Sequence, residues 1–330
     1  MIISKTPLRI SFVGGGTDLP AFYEQGSGAV LSCTIDKSVY VIIKERFDDL
    51  IVLNWSRKEI VESVDDIEHE LIREAMRRVG IKKAVEISTI ADIPSQGSGL
   101  GSSSSITVGL LNAFYTYKGI QVSNNRLAKE ACEIEIDIVG KPIGKQDQYA
   151  AAYGGMNEIL FQKDGGVIVN SLKSIGSGSF RILGSNLLLF YTDITRDANN
   201  ILDKQNAKTA DIFEVLTKMR DQVSPLKQSI ERGELEEVGG ALAKGWALKK
   251  TLVADISNDK IDRMYELARA AGAAGGKICG AGAGGFLLLY VPREKQNAVR
   301  EALKDYREFP FMLEKYGSRI IFNQRNDYWR

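Results

Sequence analysis

Four consecutive serines, Ser102–Ser105, stand between glycines at 97, 99 and 101 and an apolar run in which Ile106, Leu110, Leu111 and Phe114 recur at helical spacing. A linker leads out of a folded element into polar chain, whereas these serines open a helix. The first-turn amides of a helix lack intrahelical partners and carry the positive end of its dipole, and serine is a favoured N-cap. Glycines just before it let the backbone curl around a ligand in conformations closed to residues with a Cβ. Loop and helix start together make an anion cradle. On local chemistry alone a tight structural turn explains the glycines equally well. No GK[ST] follows them, neither VAIK nor HRD and DFG occurs, and the pattern is not G-x-S-x-G, so Walker A loops, protein kinases and nucleophile elbows are excluded.

Any anion has to be caught locally. Lysine plus arginine (43) nearly balances aspartate plus glutamate (42), and a net charge of +1 provides no overall field for nucleic acid or an anionic membrane. With 44% hydrophobic and 26% charged residues and only 7 prolines, the 330-residue chain is an ordered one of a size that divides into two compact domains. Lys5, Pro7 and Arg9 interrupt the opening MIISKTPLRISFVGGG and no later run is long enough to cross a bilayer, so a cytoplasmic location is expected. Cys33, Cys132 and Cys279 are odd in number and widely separated, which fits neither a disulfide framework nor a zinc site. The one histidine, His69, falls in DIEHELIREAMRRVG, an amphipathic helix that turns Ile67, Leu71, Ile72, Ala75 and Met76 to the core, and is expected to be an exposed helical residue.

Strand patterns fill the first ninety residues: TPLRISFV, GAVLSCTI, SVYVIIKERF, LIVLNW and AVEISTI. Helices are expected from Ser102 to Tyr117, from Ser123 to Val139 and near Gln146 to Tyr153, followed by strands MNEILF and GVIVN. The serine- and glycine-rich SLKSIGSGSF, Ser171 to Phe180, is the boundary candidate and divides the chain into 1–175 and 176–330. Beyond it NLLLFYTD reads as a strand, Ala198 to Leu252 as helices separated near Gly233, and Asp259 to Ala271 as a helix. GFLLLYV, a helix from Arg293 to Asp305, and strands FPFMLE and SRIIFN complete the chain. Both halves are α+β.

Pro94 followed by GSGLGSSSS resembles the PxxxGLGSS motif of the GHMP kinases, a family named for galactokinase, homoserine kinase, mevalonate kinase and phosphomevalonate kinase. TPLRISFVGGGTDLPAFY, Thr6 to Tyr23, is similar to the family's N-terminal motif, and KICGAGAGGFLLLYVP, Lys277 to Pro292, to its C-terminal glycine-rich motif. Three motifs in order over almost the whole chain make the resemblance specific. It implies the two-domain GHMP kinase fold, α+β in class. An N-terminal ribosomal-protein-like α/β domain over 1–175 would carry the ATP loop and catalytic aspartate, and a C-terminal ferredoxin-like α+β domain over 176–330 the late glycine-rich motif. It further implies ATP and Mg2+ as cofactors and a site between the domains.

Residue by residue, the resemblance places nucleotide at Pro94, Gly97, Gly99, Leu100, Gly101, Ser102, Ser103 and Ser104, and magnesium at Ser103 and Glu135. Magnesium takes oxygen ligands, often only one or two from protein. Glu135 lies among Glu130, Glu133 and Asp137, where a solvated helical face is the competing reading and a register error would transfer the role to Glu133. Asp147, in GKQDQYAAAYGG, matches the base or orienter of the attacking hydroxyl; alone it reads as a first-turn acid favoured by the helix dipole. Arg9 is the family's basic residue, suited to pair with Asp147 and to steady charge on the transferred phosphoryl group. Gly15, Gly16, Thr17 and Asp18 match the sugar-binding stretch, although an Asx-type turn before Pro20 explains Asp18 as well. Gly282 and Gly284 of the late motif, with Arg196 and Lys204 for the far end of a phosphorylated sugar, complete the expected substrate residues. Cys279 is expected to be a packed residue.

GGGTD departs from the GEH usual in mevalonate and galactose kinases and is most similar to the heptose kinases. The implied activity is therefore an ATP-dependent sugar-1-kinase that phosphorylates D-glycero-D-manno-heptose 7-phosphate at its anomeric hydroxyl, for nucleotide-heptose and surface polysaccharide synthesis. The alternatives are a kinase of an unphosphorylated sugar of fucose, glucuronate or galactose type and a non-catalytic sensor of sugar and nucleotide. Arg9, Ser103, Glu135 and Asp147 together argue against a silent relative. Expected partners are ATP and a sugar phosphate, with a homodimer as the one assembly allowed for, and neither nucleic acid nor membrane.

Overall fold

The computed structural model describes residues 1–93, 97–172, 175–194, 201–203, 205 and 209–324. β1 (Ile2–Val13), β2 (Gly28–Glu45), β3 (Ile51–Asn54), β4 (Lys58–Val61), β5 (Val85–Ala91), β6 (Met156–Phe161), β7 (Val167–Ser171) and the last strand β11 (Arg319–Asn323) form one eight-stranded sheet. Its order is β11–β1–β2–β5–β3–β4, with β6 on β2 and β7 on β6. The long β2 organises it. The two runs GAVLSCTI and SVYVIIKERF are one continuous 18-residue strand, whose first part pairs with β6 and whose last part pairs with β5, while β1 runs antiparallel along it. A smaller antiparallel sheet joins β8 (Leu187–Tyr191), β10 (Phe286–Tyr290) and β9 (Gly275–Ile278), with β10 in the middle.

On the large sheet lie α1 (Pro20–Gly26), α2 (Glu70–Val79), α3 (Ser102–Tyr117), α4 (Asn124–Cys132) and α5 (Gln146–Tyr153). The predicted helix from Ser102 is α3, and its Val108, Leu110, Leu111 and Phe114 are fully buried, each worth about 1.5–3 kcal/mol of apolar transfer. Gly109 lets this helix settle on β1: a Cβ there would meet Thr6 Oγ1 at 2.8 Å, and Ser4 Oγ donates to the Gly109 carbonyl at 2.9 Å. With the small sheet stand α6 (Ser177–Ser185), α7 (Thr209–Arg220), α8 (Val223–Arg232), α9 (Glu237–Lys250), α10 (Asp259–Ala270) and α11 (Gln296–Ala302). Gly233 ends α8 in a left-handed conformation, as its break in the helical pattern predicts. Among the described residues no helix is long and apolar enough to cross a membrane.

Several expectations are corrected. The helix from Ser123 does not run evenly to Val139; after α4 it widens into a π turn, Glu133–Ile138. The second half of SLKSIGSGSF is already α6, with Phe180 buried, so serines and glycines there open a helix rather than a linker. FPFMLE forms no strand. Phe311 and Leu313 are buried and Met312 is exposed, which is the alternation of a strand. Its backbone, however, bonds to two sheets in turn: Phe309 N–H to the Leu189 carbonyl at 2.7 Å and Glu314 N–H to the Thr34 carbonyl at 2.9 Å. This segment carries the chain back to the large sheet, where β11 pairs with β1, so residues 319–323 do not stay with the rest of 176–330. β4 and β9 are short strands that the sequence patterns did not show.

Candidate active site

A cleft of about 1050 Å3 is bounded by β1, the loop before α3, the start of α5, and, from the other half of the chain, α9, β9 and the late glycine motif. At its centre is Arg9. β1 turns Leu8, Ile10 and Phe12 into the core and Arg9 the other way, and the side chain is only 4% exposed. Its Nε donates to Asp147 Oδ1 at 2.7 Å, Nη2 to Oδ2 at 2.6 Å and Nη1 to the Gly99 carbonyl at 2.7 Å. The bidentate fork fixes both partners. Burial works against the guanidinium charge, but Asp147 outweighs it, so the Arg9 pKa is raised. Asp147 sits in the first turn of α5, as predicted, with its carboxylate in the cleft.

The two glycine motifs, almost two hundred residues apart, touch through backbone. A Cβ on Gly99, which has φ +71°, would lie 2.4 Å from the Cys279 carbonyl oxygen, and one on Gly101 (φ +79°) would lie 3.2 Å from Asp147 Oδ2. Gly97, Gly99, Gly101 and Ser102–Ser104 line the cleft. The N-cap of α3 is Gly101 rather than a serine, and no side chain caps the helix, which leaves its first turn facing the cleft without an internal carboxylate or hydroxyl cap. The Leu100 side chain is fully buried in the core, and only its backbone is turned to the loop: its carbonyl accepts from Arg9 N–H at 3.0 Å and its N–H donates to Ser98 Oγ at 3.4 Å. Replacing Gly99 by valine is expected to cost about 2–4 kcal/mol of stability and to raise the KM for ATP, because Cβ overlaps fixed backbone at a positive φ. Thermal unfolding and ATP saturation curves check this; an ATP KM equal to that of the parent in a folded variant would remove the loop from nucleotide binding.

Glu133 and Glu135 have different surroundings in the π turn: Glu135 is fully buried, while Glu133 faces Arg78 at 2.7 Å. Ser103 Oγ donates to Glu135 Oε1 at 2.5 Å, and Gln148 Nε2 to Oε2 at 2.8 Å. Lys141, which the sequence reading did not assign, donates to Ser103 Oγ at 3.0 Å and stands 3.8 Å from Glu135. Burial raises the Glu135 pKa against the pull of Lys141, Ser103, Ser104 and Gln148. Ser103 and Glu135 offer oxygen atoms, and among the described residues no three His, Cys, Asp or Glu side chains gather as a metal cluster.

Asp18 is 3% exposed and lines the cleft; Oδ1 accepts Gly16 N–H at 3.1 Å and Oδ2 accepts Gln146 N–H at 3.3 Å. Burial and the Asp147 charge raise its pKa against these amides. It is thus both a turn acid and a cleft carboxylate. Gly15, Gly16, Gly282 and Gly284 also line the cleft. Thr17 does not: fully buried, its hydroxyl donates to the Gly14 and Ala29 carbonyls at 2.8 and 2.9 Å and accepts Ala29 N–H at 3.0 Å, so it holds the turn rather than a ligand. Pro94, Arg196 and Lys204 lie outside the described residues. Cys279 is buried, and burial raises its thiol pKa, as a packed residue requires.

The sequence families converge on the same description. Residues 68–155 match the GHMP kinases N terminal domain and residues 226–308 the GHMP kinases C terminal, together more than half of the chain. The chain belongs to the GHMP kinases. As such it is a phosphotransferase with an alcohol group as acceptor and uses ATP. This GHMP kinase is 32% identical over 95% of its length to a D-glycero-alpha-D-manno-heptose 7-phosphate kinase of Campylobacter jejuni, covering 97% of that protein. Its fold is similar to the crystal structure of a D-glycero-D-manno-heptose 1-phosphate kinase from Bacteriodes thetaiotaomicron, with TM-score 0.83 and 28% identity over 98% of this chain and 100% of that one. A putative sugar kinase from Campylobacter jejuni gives TM-score 0.78 and 30% identity, covering 97% of each chain.

Sequence reasoning missed further cleft residues of this GHMP kinase. His69 is not an exposed helical residue but the N-cap of α2, accepting Ile72 N–H at 3.4 Å and meeting Trp55 edge-on at 4.8 Å; burial lowers its pKa. Trp55 and the exposed Ile90 line the cleft with it, as do Lys249 and Lys277. Only the lysine heading KICGAGAGG stood within a motif; the others sit in ordinary helix, strand and loop sequence with no local signal.

Proposed function

We propose that this GHMP kinase transfers the γ-phosphate of ATP to the anomeric hydroxyl of D-glycero-D-manno-heptose 7-phosphate, giving the 1,7-bisphosphate. The observation that carries the transfer is the Arg9–Asp147 fork set between the glycine–serine loop and Asp18. The heptose comes from the similarity to the Campylobacter jejuni enzyme over nearly the full length of both chains. Nucleotide phosphates lie at Gly97–Ser104, where backbone amides and the start of α3 receive them, and the base lies toward Trp55 and Ile90. Asp18 accepts hydrogen bonds from sugar hydroxyls. Asp147 orients the anomeric hydroxyl and takes its proton as the oxygen forms its bond to the γ-phosphorus and the bond to ADP breaks. Arg9 steadies charge on the moving group and holds the Asp147 carboxylate in place. Ser103, which lines the cleft, and the buried Glu135 bonded to it would hold magnesium through oxygen ligands, and the ion would screen the nucleotide's charge.

A bound phosphate offers charge-assisted contacts that a neutral sugar lacks, and one such contact is worth about tenfold or more. With ATP and magnesium, kcat/KM for the heptose 7-phosphate is therefore expected to exceed that for the unphosphorylated heptose and for fucose by at least about tenfold. Equal or higher efficiency on either neutral sugar replaces the assignment by a neutral-sugar kinase.

A further inference from the structure

We infer that Lys249 and Lys277 form the subsite for the acceptor's own phosphate, the anionic group a sugar phosphate carries away from its reacting hydroxyl. The inference rests on the sugar-phosphate reading above and places that group on α9 and β9. Both side chains are 6% exposed and both line the cleft. Lys249, in the last turn of α9, donates to the Gly280 carbonyl, and Lys277, on β9, lies 3.5 Å from the Phe12 carbonyl. Among the described residues neither forms an ion pair. An ammonium has three donors, and a buried one without a carboxylate is disfavoured unless an anion completes it.

The surroundings point the same way. Burial, Lys277 and Arg9 push the Lys249 pKa down to about 7, while Asp18 and Cys279 pull it up. Burial and Arg9 bring Lys277 to about 8, opposed by Cys279. Both groups are harder to charge in the free protein than an ordinary lysine, and a docked dianion would favour their protonated forms. In the same cleft Ser11 Oγ, Gln205 Nε2 and Gln222 Oε1 are buried and, among the described residues, have no hydrogen-bond partner. Such orphaned groups suit the hydroxyls of a sugar. The nucleotide end has its own cation in Lys141, against Ser103. Lys249 instead feels Asp18, which lies on the acceptor side.

The test compares Lys249→Met, Lys249→Gln and Lys277→Met with the parent enzyme, using ATP, the heptose 7-phosphate and the unphosphorylated heptose, with thermal unfolding to confirm the fold. In each variant kcat/KM for the phosphorylated sugar is expected to fall at least about tenfold further than for the unphosphorylated one. Calorimetric binding of the two sugars to the ATP-free protein reads the same contrast without turnover, with a loss of about tenfold or more in affinity confined to the phosphorylated sugar. Equal losses on both sugars, or a rise in the KM for ATP that accounts for the loss, would assign the lysines to packing or to the nucleotide and overturn the inference. So would unaltered affinity for the heptose 7-phosphate in folded variants. A parent enzyme that binds and phosphorylates neither heptose defeats the substrate reading itself, whereas a parent active on the phosphate with indifferent lysine variants defeats only the subsite.

Discussion

Asp147→Asn is expected to lower turnover by about 10²- to 10⁴-fold, the range for loss of a positioned general base, with little change in nucleotide affinity. The amide keeps the shape of the side chain but cannot take the acceptor's proton. It also turns an NH2 group toward one of the two Arg9 donors that meet the carboxylate at 2.7 and 2.6 Å, so one arm of the fork is lost. Steady-state kinetics with both substrates varied, together with ATP binding at equilibrium, separate the two effects. Near-normal turnover would reduce Asp147 to a first-turn acid of α5, placed there by the helix dipole.

The second large effect is expected at Arg9. Arg9→Ala leaves a carboxylate and the Gly99 carbonyl without their donors, and breaking a buried pair from one side costs about 3–5 kcal/mol. Asp147 is 21% exposed, so solvent screens part of this and a value of about 3 kcal/mol is expected. Turnover should fall with it, because the alanine loses both the charge facing the transferred group and the anchor of Asp147. Arg9→Lys restores charge but not the planar fork, and should lie between parent and alanine in both unfolding and turnover. A lysine variant equal to the parent would make charge alone sufficient. An alanine variant that turns over normally would make the pair purely structural.

These effects join residues 138 positions apart, and that distance marks what each level of description decides. The sequence by itself determined the elements whose signal is local. The 3.6-residue spacing after Ser102 specified α3, GKQDQ placed Asp147 at the start of α5, and the glycine motifs with Arg9 and GGGTD pointed to a GHMP kinase. Hydrophobic period and turn chemistry act between near neighbours, so they can be read from the order of residues alone.

Only the tertiary structure decided which polar groups turn inward. Glu133 and Glu135, two residues apart, lie on opposite faces of the turn, and packing decides which is enclosed: Glu135 is fully buried, while Glu133 meets Arg78. Thr17 and Leu100 stand inside ligand-binding motifs yet face the core, since the turn needs one and the hydrophobic cluster the other. FPFMLE alternates like a strand, but its hydrogen bonds are divided between sheets that the sequence does not place side by side. Lys249 and Lys277 look like surface lysines until α9 and β9 pack against β1 and enclose them. Alternation and helical spacing encode core against solvent; a buried cleft is a third environment, made by surfaces from distant parts of the chain, and it leaves no period of its own.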